Sequence, residues 1–450
     1  MKRLAIVAAI IVPVMAAAGL WLLPSKPSTS KIASLPVAVV LPLPVALCDV
    51  PRDTPVVMWV AQAKARFEPC GCVAGMFGGL MRRAVLTSRL PRERVLSCEL
   101  GGWSGGHQPY ELLRSRFYLR GLAAAGVDVV AVGTAEIALG STSLGTLRAE
   151  AKLLGLPLVC ANLEGYDPHV VITAGLRRCL ITAVVDRDAA GNGLTVHDPV
   201  ESVTTQAVEA VRLGLDLVIL ADLDPDACKA LARAVPQAAL IIGGRTDHPS
   251  PEPVAVGSVR VLWSGNHGKV LGSWAWGQPA AAFELLHDKL PEDAGQRAIL
   301  GDYQKALGEA GFDGTGNSGL RTLGSASLVG TAICATCHQN AHRIHQDSGH
   351  HHALLALERK GYQFDPDCLR CHVTGLGEGG YTRGSTTFAE VGCEACHGPG
   401  SFHTAAARSG RPLDGTMPQL SASTCVACHD ADNSPQFDYG VYWLRILHGN

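Results

Sequence analysis

A Cys-x-x-Cys-His motif near the C-terminus offers the residue types that attach haem covalently. Cys393 and Cys396 enclose two residues, His397 follows at once, and His403 stands six residues further on. Two thiols at this spacing can add to the vinyl groups of haem, and the adjacent histidine can then ligate the iron. A single match would also suit half of a zinc site, so the rest of the chain must decide.

The same motif occurs four times in the last 120 residues. All eight cysteines of that segment are used, and a histidine follows every pair. Neither a zinc site nor a disulfide framework requires that histidine, and redox dithiols are not expected to recur four times. We therefore predict four c-type haems, attached through Cys334 and Cys337, Cys368 and Cys371, Cys393 and Cys396, and Cys425 and Cys428, with His338, His372, His397 and His429 as proximal iron ligands.

Further histidines could fill the second axial face of each iron. A filled face makes the iron six-coordinate and suited to electron transfer, whereas an open face can bind a small molecule. Adjacent helical residues point about 100° apart, so one of three consecutive histidines is expected to reach a given iron. The candidates outside the four motifs are His342, His345, His350, His351, His352, His403 and His448, more than four haems can use.

The motif-rich segment resembles the tetrahaem cytochromes of the cytochrome c-554 type over about residues 332–429. The shared letters include Cys-His-Val-Thr-Gly, and Val-Gly-Cys-Glu-Ala-Cys-His-Gly-Pro-Gly with a histidine three residues later. The resemblance implies that His350, which follows Ser-Gly, and His403 are distal ligands. Two further distal ligands do not carry over, and His345 stands where the family often has an aromatic residue. The resemblance also implies electron transfer, with one haem five-coordinate in some members.

Composition divides the chain into five segments: 1–24, a signal peptide or membrane anchor; 25–54, a linker; 55–280, an α/β domain; 281–330, a helical connector and flexible linker; and 331–450, a tetrahaem domain. Short β-rich runs alternate with helical stretches in the α/β segment, which predicts an α/β fold. Apolar periodicity almost vanishes after residue 330. We therefore expect a small, mostly helical or irregular domain there, with the haems as its core.

The N-terminal sequence and the net charge limit the cellular compartment and the binding partners of the protein. Met1–Arg3 is basic and Leu4–Pro24 is an uninterrupted apolar run, which predicts a cleaved signal peptide or an uncleaved anchor, with the anchor favoured. Either would place the body in the periplasm or otherwise outside the cytoplasm, held at the inner membrane if uncleaved. The net charge of −2 gives nucleic-acid binding no electrostatic support. The expected partners are redox proteins, whose identity the sequence does not give.

The α/β segment is similar, in the order of its parts, to the 5′-nucleotidase branch of the calcineurin-like metallophosphoesterases. That resemblance implies a layered α/β sandwich with two metals held by Asp, Asn and His at strand ends. We expect no dimetal centre and no hydrolase activity, with a divergent alignment that hides the ligands as the alternative. The sequence departs from the pattern at Gln62 and Lys64, Gly101 to Trp103, Thr134 and Ala135, Asp222, and Arg245 and Asp247, with His248 one residue out of place.

Cys70 and Cys72 suggest a separate redox chemistry. A disulfide between cysteines one residue apart closes a small strained ring that is easily reduced, so a redox pair is one hypothesis. The alternatives are a structural disulfide or two free thiols.

The sequence as a whole favours an exported multihaem c-type cytochrome that carries electrons through four haems. The alternative is a multihaem oxidoreductase that converts a small inorganic substrate at one haem with an open face. Whether the chain is an enzyme is therefore left open by the residues alone.

Overall fold

A computed structural model describes residues 50–51, 53–69, 76–246, 248–250, 252–265, 267–312, 325–418, 420–430, 433–434 and 436–448. Cys70, Cys72 and the N-terminal apolar run lie outside these residues, so the predictions made for them stay predictions. The described residues all belong to one compact unit. Within the described part, no helix has both the length and the apolar character needed to cross a membrane.

The α/β part contains, within the described ranges, two six-stranded mixed sheets. The first, in spatial order, has strands β12 (Ala282–Leu285), β11 (Val270–Ala275), β1 (Val56–Val60), β2 (Val95–Glu99), β3 (Val129–Ala131) and β4 (Leu158–Val159). The second has β5 (His169–Ala174), β6 (Arg177–Val185), β7 (Asp216–Asp222), β8 (Ala238–Gly243), β10 (Val259–Trp263) and β9 (Val254–Val256). In each sheet four neighbouring strands are parallel and the remaining pairings are antiparallel.

The two sheets share a buried layer between them. Val57 and Trp59 of β1 belong to the same apolar cluster as Val218 and Leu220 of β7. The intervening residues of these strands face outward onto helices, because successive side chains of a strand point to opposite sides. Strands buried on both faces read as near-continuous apolar runs in the sequence. The predicted layered α/β sandwich is thus confirmed.

Helices cover the outer faces of the sheets: α1 (Leu80–Thr87), α2 (Pro109–Ala124), α3 (Thr134–Ala138), α4 (Gly140–Leu153), α5 (Pro199–Leu213), α6 (Pro225–Ala234) and α7 (Ala294–Ala310). Local sequence explains where two of them begin. The carboxylates of Asp198 and Asp224 each accept hydrogen bonds from two backbone N–H groups of the first turn, and a proline follows each. Helix α5 ends at Gly214, whose φ of 64° suits glycine.

The structure differs from the helical connector expected after residue 280. Residues 282–285 form strand β12, which pairs antiparallel with β11, and Phe283 packs edge-on against Trp59 with ring centroids 5.8 Å apart. Residues 282–285 are too few to show a hydrophobic period of their own, so their pairing with β11 decides their conformation. Helix α7 follows and packs on α2, where the ring centroids of Phe117 and Tyr303 lie 5.8 Å apart.

The C-terminal part is built from short helices: α8 (Thr331–Ala335), α9 (Gln339–Gln346), α10 (Ala353–Glu358), α11 (Pro366–His372), α12 (Cys393–His397), α13 (Ser401–Arg408), α14 (Ala422–Val426) and α15 (Tyr439–Ile446). Helices of this length are not stable on their own in water. The apolar cluster of this part is small and lies in α10, α11 and the segment after α11; its buried members are Leu354, Leu357, Leu369, Val373, Leu376 and Tyr381. The predicted helical and irregular character of this part is confirmed. Most of the packing that stabilises it must come from groups other than its own apolar side chains.

A polar junction fixes this part to the α/β part. Asp365 caps α11 by accepting from the Asp367 N–H, and the Tyr303 hydroxyl on α7 donates to the same carboxylate at 3.2 Å. Arg114 on α2 lies 3.9 Å from Asp365 and donates to Asp367 at 2.7 Å. Burial raises the pKa of Asp365, whereas Arg114 outweighs burial at Asp367 and holds that pKa below its usual value. The start of a motif-bearing helix is therefore anchored to two α/β helices.

Arg114→Met tests this junction. It leaves the buried Asp365 carboxylate without its cation, so we expect a loss of about 3 kcal/mol in the free energy of unfolding, measured by urea denaturation of the haem-loaded chain. The loss should shrink at acidic pH, because a protonated Asp365 needs no cation. Arg212→Met, which removes an exposed pair with Glu209, is the control and should leave the midpoint unchanged. Equal midpoints for both variants would contradict the assignment.

Candidate functional site

Each Cys-x-x-Cys-His motif forms one helical turn. The His338 N–H donates to the Cys334 carbonyl at 3.0 Å, and the His429 N–H donates to the Cys425 carbonyl at 2.9 Å. Helix α11 contains the second motif and α12 is the third. In a helical turn, residues i, i+3 and i+4 lie on one side, which is where both thiols and the imidazole must be to hold the same ring. We call the motifs sites 1 to 4 in chain order.

The eight motif cysteines are free thiols, and thiols of different sites meet. The Cys334 thiol of site 1 neighbours the Cys393 thiol of site 3, and the Cys371 thiol of site 2 neighbours the Cys428 thiol of site 4. The neighbouring Cys428 lowers the pKa of the Cys371 thiol to about 7. Sites 3 and 4 adjoin through Cys396, whose raised pKa reflects burial first and then the neighbouring Cys425. The spatial order of the sites is therefore 1, 3, 4, 2.

Three motif histidines face a histidine from outside the motifs. The rings of His338 and His403 have centroids 6.1 Å apart, those of His429 and His350 lie 6.2 Å apart, and those of His397 and His448 lie 5.9 Å apart. Two imidazoles that ligate one metal from opposite sides, each with its nitrogen about 2 Å from the metal, have centroids about 6 Å apart. The spacing of all three pairs fits an iron between the rings.

Hydrogen bonds at Nδ1 orient several of these rings. The Nδ1–H of His448 donates to the Ile446 carbonyl at 2.8 Å. The Nδ1 of His403 lies 3.1 Å from the Thr416 hydroxyl oxygen, which itself donates to a carbonyl and so must accept from the ring. The Nδ1 of His429 lies 3.2 Å from a serine hydroxyl. A ligating histidine typically fixes its second nitrogen in this way, which presents Nε2 to the metal.

Burial favours the neutral form of three of the paired imidazoles. It lowers the pKa of His350, His397 and His429, and neighbouring histidines lower the pKa of the first two further. A neutral imidazole is the form that ligates a metal. His372 of site 2 belongs to none of the three ring pairs, and its Nδ1 lies 2.7 Å from the Ala353 carbonyl oxygen.

A cavity of 1490 Å³ lies beside sites 2, 3 and 4, which exceeds the roughly 300 to 1,000 Å³ of an ordinary ligand pocket. Protein interiors are normally filled by side chains, so a cavity of this size leaves room for a bound group. Guanidinium groups line it from both parts of the chain, and these suit the carboxylates that haem carries. The lining arginines include Arg66, Arg82 and Arg114 from the α/β part and Arg370 and Arg445 from the C-terminal part. The residues present therefore fit c-type haem.

Glu394 ties sites 1 and 3 together. Its buried carboxylate accepts hydrogen bonds from the backbone N–H groups of Val329, Gly330 and Gly400, the last two at 2.7 Å. The first two groups precede α8 and the third precedes α13, which carries His403. One side chain inside the third motif thus positions the helix that carries Cys334 of site 1 and the helix that carries His403.

The positions where the α/β part departs from the phosphoesterase pattern make internal hydrogen bonds instead. The Gln62 amide donates to the Gly244 carbonyl at 2.9 Å, and the Asp222 carboxylate accepts from the Thr134 N–H at 2.6 Å. Nearby, Glu136 accepts from three backbone N–H groups, those of Gly102, Ser104 and Gly133. Arg245 and His248 are exposed, and Asp247 lies outside the described residues. The expected absence of a dimetal centre and of hydrolase activity stays a prediction.

The structure places His350 and His403 beside motif histidines, and their role as distal ligands stays a prediction. It also brings His448 to His397, which sequence reasoning named only as one histidine among seven. The available signal was its position just after an apolar helix, α15, at the end of the chain. His345 and His351 lie together with Glu390, and sequence reasoning did not connect these three residues.

Comparison with known proteins supports the cytochrome character of the C-terminal part. Residues 333–398 match the family model described as cytochrome c554 and c-prime. Cytochrome c-554 from Nitrosomonas europaea is 35% identical over 101 residues, which cover 18% of this chain and 43% of that protein. The chain therefore spans less than half of the curated relative it matches. The resemblance predicted from the sequence is confirmed, and a cytochrome c family is one that binds c-type haem.

The α/β part is similar to 5′-nucleotidases and calcineurin-like phosphoesterases, as the sequence predicted. A 5′-nucleotidase precursor from Thermus thermophilus is 23% identical, with 57% of this chain and 59% of that chain covered and a TM-score of 0.49. The calcineurin-like phosphoesterase YfkN from Bacillus subtilis is 16% identical, with 56% and 97% covered and a TM-score of 0.47. No activity of these proteins is transferred to this chain.

The pairing of His448 with His397 can be tested in the haem-loaded protein. His448→Ala removes one of two opposed imidazoles, so we expect one iron to change from low-spin to high-spin, as seen by low-temperature EPR. His342→Ala, in the same part of the chain but outside the ring pairs, should leave the spectrum unchanged. A low-spin spectrum in the His448 variant identical to that of the parent would refute the pairing.

Proposed function

We propose that the chain is an exported tetrahaem c-type cytochrome that carries electrons between redox proteins. The observation that supports this most directly is the set of three opposed histidine pairs about 6 Å apart, His338 with His403, His350 with His429, and His397 with His448. Bound haem would supply a one-electron couple at each iron. A second histidine on the iron suits electron transfer better than it suits substrate binding.

The number of four haems is supported by the four motifs. Each presents two thiols and a histidine on one side of a helical turn, and the thiols are not consumed in disulfides. The eight cysteines would bind the haems, and His338, His372, His397 and His429 would be their proximal ligands. His350, His403 and His448 would be distal ligands of sites 4, 1 and 3.

The adjacency of the sites supports passage of electrons along a row. Thiol contacts join site 1 to site 3 and site 2 to site 4, and Cys396 of site 3 neighbours Cys425 of site 4. Electrons would then enter and leave at opposite ends of the order 1, 3, 4, 2. Because the sites are neighbours, no electron would have to cross a long distance between two cofactors.

The α/β part would act as a support and a docking surface, with no hydrolysis. Its carboxylates Glu136 and Asp222 are occupied by backbone N–H groups, and its helices α2 and α7 hold the capped start of α11. Export rests on the basic start and the apolar run of residues 4–24, which would place the chain in the periplasm, at the inner membrane if uncleaved. A redox role of Cys70 and Cys72 stays a hypothesis.

Electron transfer can be measured by counting electrons. The fully reduced, haem-loaded chain, mixed anaerobically with an excess of an oxidised small cytochrome, should deliver four electrons, one for each motif. A variant with Cys334, Cys337 and His338 replaced by Ala, which removes site 1 at one end of the row, should deliver three. Both proteins should return to the oxidised state without loss of haem. Delivery of fewer electrons than the haem count by the parent chain would contradict the proposal, because some irons would then be cut off from the row.

A further inference from the structure

We propose that His345, His351 and Glu390 bind a divalent transition-metal ion at a site separate from the haem irons. Each residue offers one ligand atom, and these three atoms lie within 4.8 Å of one another. His345 belongs to α9, His351 precedes α10, and Glu390 precedes α12, so three separate segments converge here. None of the three residues belongs to a haem motif or to the three opposed histidine pairs.

His345 is oriented as a metal ligand. Its Nε2 lies 3.0 Å from the Val391 carbonyl oxygen, which can only accept, so Nε2 carries the hydrogen and Nδ1 carries the lone pair. That Nδ1 is buried and has no hydrogen-bond partner among the described residues. A backbone carbonyl that fixes one ring nitrogen while the other faces a metal is the usual arrangement around ligating histidines. A bound cation would satisfy a nitrogen that is otherwise costly to bury.

Glu390 and His351 complete the donor set. The His351 Nδ1 lies 2.5 Å from the Glu390 Oε2, and the rings of His351 and His345 have centroids 5.5 Å apart at 74°. The carboxylate is largely shielded, with its side chain 12% exposed, whereas that of His351 is 37% exposed and leaves a path for an ion. Ligand atoms about 2 Å from one metal lie about 3 to 4 Å apart, so small side-chain rotations suffice to close the site.

The backbone that carries Glu390 is held in place. The Thr374 hydroxyl donates to the Glu390 carbonyl at 2.7 Å and accepts from the Gly392 N–H at 2.8 Å. The Val391 N–H donates to the His350 carbonyl at 3.1 Å. Fixed backbone on both sides of a ligand lowers the cost of assembling a site. The last bond also connects the cluster to His350, which faces His429.

The chemistry of the donors selects the class of metal. Two imidazoles and one carboxylate suit Zn²⁺, Fe²⁺ and similar ions, and leave positions open for water. Mg²⁺ and Ca²⁺ prefer oxygen ligands and should compete poorly. The proposal does not depend on the proposed electron-transfer role, because metal content is measured separately from haem reduction.

Zinc binding to the haem-loaded full chain tests the proposal. The chain is first treated with a chelator that does not remove haem, then equilibrated with Zn²⁺ in the presence of excess Mg²⁺, and zinc and iron are counted by elemental analysis. We expect one zinc per chain. His345→Phe and Glu390→Gln should each weaken zinc binding at least about tenfold in a competition titration with a zinc-sensitive dye.

Matched variants separate the site from other zinc ligands. His342 lies on the same helix as His345 but outside the cluster, and Glu358 is an exposed carboxylate of the same part. The control variants His342→Phe and Glu358→Gln should therefore bind zinc like the parent. A Cys70→Ser and Cys72→Ser double variant should also retain zinc. Unchanged haem content and Soret spectra show that each variant has folded, and His351→Ala, at the more exposed ligand, is a milder alternative.

Two results would overturn the proposal. One is a parent chain that binds no zinc beyond its haem iron. The other is zinc binding that does not depend on the cluster. It would then survive in the His345, His351 and Glu390 variants as it does in the His342 control, or it would be lost only when Cys70 and Cys72 are replaced.

Discussion

The separation between opposed imidazole rings is the constraint on which the C-terminal part depends. Each of three motif histidines faces a partner at about 6 Å, and each partner comes from a different segment of the chain. The small apolar cluster of this part lies in α10, α11 and the residues just after α11, so an iron between two such rings would join segments that this cluster does not hold together. The haem groups would then act as the core that the side chains do not supply, which accounts for helices of eight residues or fewer in this part.

The α/β part gives these short helices a rigid support. Its layered sheets carry the large apolar cores, and α2 and α7 present Arg114 and Tyr303 to the carboxylates at the start of α11. The carboxylates of Glu136 and Asp222, near its strand ends, accept hydrogen bonds from backbone N–H groups, which is a structural role. The α/β part thus uses these carboxylates to hold its own backbone, and it positions the start of α11 in the neighbouring part.

The sequence predicted what covalent chemistry and local periodicity determine. The motif spacing is set by one helical turn, so Cys393, Cys396 and His397 could be assigned from letters alone, and the alternation of strands and helices gave the fold class. The resemblance pointed to His350 and His403. By contrast, the pairing of His448, the strand at residues 282–285 and the His345 cluster depend on contacts between distant segments, which no local pattern encodes. The predictions for Cys70 and Cys72 are untested.

The central claim is that opposed histidines hold the irons of a tetrahaem electron carrier. Low-temperature EPR of the oxidised full chain, with haem counted chemically on the same sample, tests it most directly. The account predicts four haems per chain, with the irons at sites 1, 3 and 4 low-spin and six-coordinate. A high-spin signal from one of these three sites would contradict the pairing, and fewer than four haems would contradict the cofactor assignment. A high-spin signal confined to site 2 would leave the pairs intact and favour small-molecule chemistry at that iron.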